Sequence, residues 1–337
     1  MLMRSKEATS AYRCSELGRL SLPFLLLLSL ALLIPRLDGW DYAVGKYLWA
    51  EDGSVFINEA QRFGFASLWQ PYQGYLHAYP RIVSYLSDFV DLSYRPIVLL
   101  LGWFIAYMFM ICTLLLRSFS MGVSGLGVAI MFAAVVMQPN YGEVFFTLTN
   151  TQWFLAVGFA VILLAGEVGA LKFTVFRLLG LLVLGLTGPF SVVILPVLAL
   201  RAFYFKDLRT NAWIYGVTLI CACVQVLVLL NSPRLSVNGG PIDWLNWSIV
   251  FVRMIFFGAN TPLSWAAAVL LWIGVLLGIV RYWFAGGRDR DNAIQCLMLV
   301  VMGLLLIAAC MYSAKSNLQS VLALGGGGID THGFRTL

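Results

Sequence analysis

The chain has 337 residues, 61% hydrophobic and 11% charged, with a mean hydropathy of +0.86. A soluble domain carries roughly 25% charged residues, so this composition points to a polytopic membrane protein, an all-α transmembrane helical bundle packed against lipid. The net charge of +6 comes without any basic, aromatic-interleaved patch, which gives nucleic acid no footprint as a partner.

The N-terminal stretch carries Arg4, Lys6, Arg13 and Arg19 ahead of LSLPFLLLLSLALLIP. No small-x-small cleavage pattern follows, so the run reads as an uncleaved first span near 20–36 with a cytoplasmic N-terminus. A long loop, 37–95, comes next. Within it SVFINEAQRFG and RIVSYLSDFVDL show apolar residues at helical spacing and read as amphipathic helices along the membrane surface. Further spans are expected at 96–116, 121–137, 151–167, 212–230, 262–284 and 293–313.

Between them lies FTVFRLLGLLVLGLTGPFSVVILPVLAL, residues 173–200. It is long enough for one crossing, but Gly188-Pro189 is a strong breaker that would make it two short helices forming an out-and-back hairpin. Charge favours the hairpin. It places 13 of the 22 Lys/Arg on the cytoplasmic side, whereas a single crossing splits them evenly. The expectation is therefore about nine passages, two of them short, in a single transmembrane domain over 1–313. An external tail, 314–337, follows, and its Gly325–Gly328 run and abrupt end suggest a truncated product.

The six cysteines fall mostly inside apolar runs without metal-ligand spacing and read as small apolar filler. Phosphate loops, dinucleotide fingerprints, zinc-protease motifs and nucleophile elbows are all absent from the sequence. The polar chemistry crowds into three segments on the outer side, and almost no charge falls mid-span.

In the first segment WAEDGSVF places Glu51 and Asp52 side by side. Asp52 could cap the helix that begins near Val55. Alternatively the pair supplies a general base, since a carboxylate beside lipid and aromatic rings has a raised proton affinity. QPYQGYLHAYPRIVSYL then brings Tyr75, His77 and Arg81 within seven residues, cations suited to an anionic group. His77 as a loop bystander and Arg81 reaching for lipid headgroups are the plainer alternatives. The second segment holds Glu143, its one charged residue, followed by Asn150 and Gln152 at the mouth of the next helix. The third holds Arg234 and Arg253, which could hold a phosphate or an anionic headgroup, as could Lys315 beyond the last span.

WAEDGSVFINEAQRFG, SLWQPYQGYLHAYPRIVSYL and the later LTGPFSVVILP resemble bacterial members of the GT-C superfamily of membrane glycosyltransferases. The similarity covers most of the chain in topology, and its specific motifs lie within 49–86, with TGPFS as a second patch. The resemblance implies an inverting transferase that moves a sugar from a polyprenyl-phosphate donor to a cell-surface glycan or lipid acceptor. The active site would face outward from the inner membrane. By the same resemblance, Asp52 or Glu51 is the base, Asp52 preferred, and Glu143 matches a second acidic position. Arg81 and His77 would hold the lipid phosphate. Read from the residues themselves, Arg234 and Arg253 join them as phosphate-binding candidates, and Tyr75, Glu143, Asn150 and Gln152 are the substrate-binding candidates. Some members use a divalent metal, for which no ligand set is recognisable here. A transporter or flippase of lipid-linked glycans, or a polysaccharide polymerase, is the alternative class. A transporter would place ionisable groups in mid-membrane, and a polymerase would not need the acidic pair.

Overall fold

The computed structural model describes residues 27–31, 48, 50–121, 123, 128, 145–166, 172–232, 248–249, 251–252, 255–256 and 262–313. Among them every regular element is helical, and the two β-bridges, Tyr72 with Tyr75 and His77 with Thr187, are isolated. The chain divides into two compact units, Met1–Ser232 and Pro233–Leu337.

The first unit opens with a π-helical turn, Asp52–Ile57, that runs directly into α1 (Asn58–Phe63) and a 3-10 turn, Gly64–Trp69. After a short loop come α2 (Ala78–Ser87) and α3 (Arg95–Ser120), whose first turn contains Pro96, a residue whose missing N–H costs nothing there. Arg95 ties the joint between them, pairing with Asp88 at 2.9 Å and donating from Nε to the Val90 carbonyl. Next are α4 (Thr151–Leu164), α5 (Val175–Gly185), α6 (Phe190–Phe205) and α7 (Ala212–Asn231). The second unit contains α8 (Pro262–Ala285) and α9 (Gly287–Ser313), packed on each other, with Gly286 and Gly287 at positive φ where the chain turns between them.

Four of these helices, α3, α7, α8 and α9, are long and apolar enough to cross a membrane, while α4, α5 and α6 are shorter apolar helices. Among the described residues the chain is thus all-α, with helices of the length and apolar character that membrane crossing requires. Most of the expected passages at 20–36 and 121–137 lies outside the described residues, as does the whole 314–337 tail.

The broken region behaves as Gly188-Pro189 predicts. Gly188 takes φ +80°, Pro189 stands at the start of α6, and the helix stops and restarts. Phe173 just before α5 stacks edge-on against Trp213 near the start of α7, and Gly185 at the other end lies against Cys221. So α5 runs alongside α7 in the same direction. The break then meets Gln225 farther along α7, while Arg201, near the end of α6, bonds to Asp207 just before α7 starts. Hence α6 runs back, and the two halves form an out-and-back hairpin.

Small residues set the helix spacing. A Cβ on Gly102 would come within 2.6 Å of Val83 on α2, one on Gly158 within 2.3 Å of the Phe109 ring, and one on Gly185 within 2.8 Å of Cys221. Close approach of this kind is how apolar helices gain dispersion energy where lipid offers no hydrophobic drive. The core of the unit is aromatic, with Trp103, Tyr107, Phe145 and Phe154 in mutual contact between α3 and the start of α4.

At the far end of the short helices a buried ion pair closes the bundle. Arg201 donates to Asp207 at 3.1 Å and to the Leu164 carbonyl at the end of α4. Asp207 also accepts from Asn211 and Tyr215. Lys206, at φ +53°, turns the chain into this knot. Asp207→Ala should cost about 3–5 kcal/mol, because it leaves the Arg201 charge buried and uncompensated. The double variant Arg201→Leu/Asp207→Leu should lose less than Asp207→Ala alone, as read by denaturant unfolding in detergent.

Candidate functional site

Asp52 opens the π-helical turn, and its carboxylate reaches away from its own helix. Oδ2 accepts the Leu148 amide at 2.8 Å, and Oδ1 accepts the Thr149 amide at 2.8 Å and the Thr149 hydroxyl. The acid therefore does not cap the helix near Val55, as its position suggested. It anchors the turn that leads into α4. The side chain is 3% exposed. Burial lifts its pKa to about 6 against the lowering effect of these three donors, and the neighbouring charge of Glu51 adds a little to the rise. Three of roughly four acceptor positions on a carboxylate are occupied. Glu51, beside it, is half-buried.

Phe56, one turn beyond Asp52 and fully buried, is the hub of the site. The Arg81 guanidinium lies 4.7 Å over its ring, and the rings of Tyr72 and His77 meet it edge-on at 5.5 and 5.7 Å. His77 is stacked on Tyr75 with centroids 4.6 Å apart. Arg81 is 1% exposed and pairs with Glu59 at 2.6 Å, while its Nε and Nη2 have no hydrogen-bond partner among the described residues. Burial lowers the affinity of that guanidinium for its proton, and the Glu59 carboxylate works against the loss. The Tyr72 phenol is raised, first by burial and further by the Glu51 and Asp52 charges nearby.

The segment carrying Tyr75 and His77 is stitched to the break between α5 and α6. Ala78 donates to the Leu186 carbonyl at 3.1 Å, Gly188 donates to the Leu76 carbonyl at 2.9 Å, and the Tyr79 amide donates to the Thr187 hydroxyl at 2.9 Å. Arg81 follows at once, its amide bonded to the His77 carbonyl in the first turn of α2. The side-chain oxygen of Gln152, Oε1, stands 2.9 Å from where a Cβ on Gly188 would lie. Ser191, at the start of α6, is fully buried.

Helix α2 is amphipathic with its polar stripe inward. Arg81, Ser84 and Ser87 are buried, whereas Leu86, Phe89 and Leu92 are among the exposed large apolar residues, with Phe65 and Trp69 from the turn before. Phe65 touches Tyr85, which touches Phe89, so these rings form a connected apolar face. A surface of this kind suits contact with lipid.

Seven of the sequence-predicted residues, Glu51, Asp52, Tyr75, His77, Arg81, Asn150 and Gln152, thus lie on the loop at 50–81 and the turn it holds. Glu143, Arg234 and Arg253 lie outside the described residues. Phe56 and Glu59 were not singled out from the sequence, although 52, 56 and 59 recur at helical spacing and mark one face. Gln225 was missed as well, and its signal was a lone amide in an apolar helix. Among the described residues no three metal-ligating side chains gather.

The chain matches no family model, and no curated protein or solved structure matches it either.

The Asp52 carboxyl has a pH signature. Its folded pKa of about 6 lies above the ordinary 3.8, so its contribution to stability is fully present below about pH 4 and is lost as pH rises through 6. Asp52→Asn removes this dependence. Relative to that variant, the wild type should lose on the order of 3 kcal/mol between pH 4 and pH 7, measured by unfolding in detergent at a series of pH values.

Proposed function

We propose that this protein is an inverting glycosyltransferase of the GT-C kind. It would take a sugar from a polyprenyl-phosphate donor and place it on a glycan or lipid acceptor at the outer face of the inner membrane. The observation that carries the reading is the pairing around Phe56. A buried carboxyl with its pKa near 6 begins the helical turn whose Phe56 ring lies under the Arg81 guanidinium. A proton acceptor thus stands about one turn from the ring on which an anion holder rests, in a part of the chain that exposes Phe65, Trp69, Leu86 and Phe89.

In this mechanism Asp52 takes the proton from the acceptor hydroxyl, and the hydroxyl oxygen attacks the anomeric carbon of the donor. The bond from that carbon to the phosphate oxygen breaks, and the polyprenyl phosphate leaves with its new charge beside Arg81 and His77. Tyr75, Asn150 and Gln152 line the substrate, with Glu143 contributing from the second loop. Glu51 raises the proton affinity of Asp52 through its own charge. A divalent metal would bring further charge to the leaving phosphate if the site takes one.

The distribution of charge supports surface chemistry over passage. In the four long helices the charged residues, such as Arg95, Arg117, Arg281 and Asp291, stand near the helix ends. A transporter would require them mid-span.

The test is transfer in membranes from labelled polyprenyl-phosphate sugars. Asp52→Asn should lose about 10²–10⁴-fold in turnover, the usual worth of a general base, with Glu51→Gln losing less. Turnover of the wild type should rise through an inflection near pH 6 as Asp52 ionises and level off above it. Arg81→Gln should raise KM for the donor more than it lowers turnover of bound substrate. Full activity in Asp52→Asn would remove the base assignment.

A further inference from the structure

We infer that Gln225 is the positioning residue of this site, holding the segment that carries Tyr75 and His77 against the break between α5 and α6. The inference rests on the glycosyltransferase reading above. Gln225 sits in α7, AWIYGVTLICACVQVLVLLN, and is fully buried. An amide in such a place is costly unless its hydrogen bonds are made. Here they are made, and each of them goes to the backbone. Oε1 accepts the Leu76 amide at 2.9 Å. Nε2 donates to the Leu76 carbonyl at 3.2 Å and to the Gly188 carbonyl at 2.9 Å.

Both polar groups of Leu76 are therefore held by one side chain. Leu76 stands between Tyr75 and His77, so fixing its amide and its carbonyl fixes the direction in which both rings leave the chain. The effect extends to Arg81, because its amide bonds to the His77 carbonyl and the first turn of α2 starts from that point. The same amide group grips Gly188, the residue at which the hairpin turns. The direct backbone bonds between Leu76 and Gly188 and between Ala78 and Leu186 join the two strands of chain to each other. Gln225 is what ties that joined pair to α7. Its hydrogen bonds go to the backbone of Leu76 and Gly188, so its action passes through the residues it orients.

Full-length protein in lipid nanodiscs provides the test, with Gln225→Leu and Gln225→Glu compared to wild type. One arm is amide hydrogen exchange in residues 72–82 and 184–190. The other is transfer from a panel of labelled polyprenyl-phosphate hexoses and pentoses. Gln225→Leu should speed exchange in both segments, leave α3 and α4 protected, and lower kcat about 10- to 100-fold with a smaller change in KM. Gln225→Glu, which can still accept the Leu76 amide, should recover part of both readings. A merely structural role would lower the melting temperature and leave the surviving folded protein with wild-type kcat. Unchanged exchange in 72–82, or unchanged kcat, overturns the inference. Should Gln225→Leu not fold, Gln225→Asn, one methylene short of Leu76, decides by the same two readings. A wild-type protein that moves no sugar from any donor overturns the glycosyltransferase reading, and the exchange arm still decides whether Gln225 holds the segment.

Discussion

A helix interrupted inside an apolar bundle leaves peptide groups that neither lipid nor its own turn can satisfy, and this chain is arranged around such an interruption. Between Gly185 and Phe190 the regular ladder stops. In hydrocarbon each unpaired peptide group costs several kcal/mol, so irregular backbone survives only where protein covers it. The cover is the segment 76–79, which pairs with Leu186, Thr187 and Gly188. The need to satisfy the break thus recruits a distant part of the sequence, and that part carries the chemistry-bearing side chains. The hairpin and the candidate site are two consequences of one demand.

The same economy governs the charges. Asp52 is buried at a cost that shows in its raised pKa, and it is offset in part by two amides and a hydroxyl from the turn before α4. Arg81 is buried against Phe56 and Glu59. Each group is oriented by its partners and cannot swing to solvent. At the opposite end of the short helices, Arg201 and Asp207 show what a satisfied buried pair looks like. There the remaining donors and acceptors go to Leu164, Asn211 and Tyr215. Arg81 by contrast keeps two nitrogens without hydrogen bonds among the described residues. The two buried pairs thus differ in how fully the guanidinium is hydrogen-bonded.

The inward polar stripe of α2 also follows from surroundings. A helix beside water turns its apolar face to the protein. Here Arg81, Ser84 and Ser87 are buried while Leu86 on the helix, and Phe89 and Leu92 just past its end, are exposed. Within that stripe Arg81 lies on the Phe56 ring and pairs with Glu59, and the Ser87 hydroxyl donates to the Ser84 carbonyl. The outward apolar face, Leu86 with Phe89, Phe65 and Trp69, is of the kind that suits contact with lipid.

The sequence by itself determined the strongly apolar composition of the chain, its helical class and the breaker at Gly188-Pro189. All of these follow from composition and from interactions a few residues apart, where periodicity and charge counts are direct readings of local physics. Only the tertiary structure decided that Asp52 grips the turn before α4 instead of its own helix. It also decided that Phe56 and Glu59 complete the surroundings of Arg81, and that Gln225 reaches Leu76 across 149 residues. Those pairings depend on which distant unsatisfied peptide groups and side chains are brought within about 3 Å, and no local pattern encodes that distance.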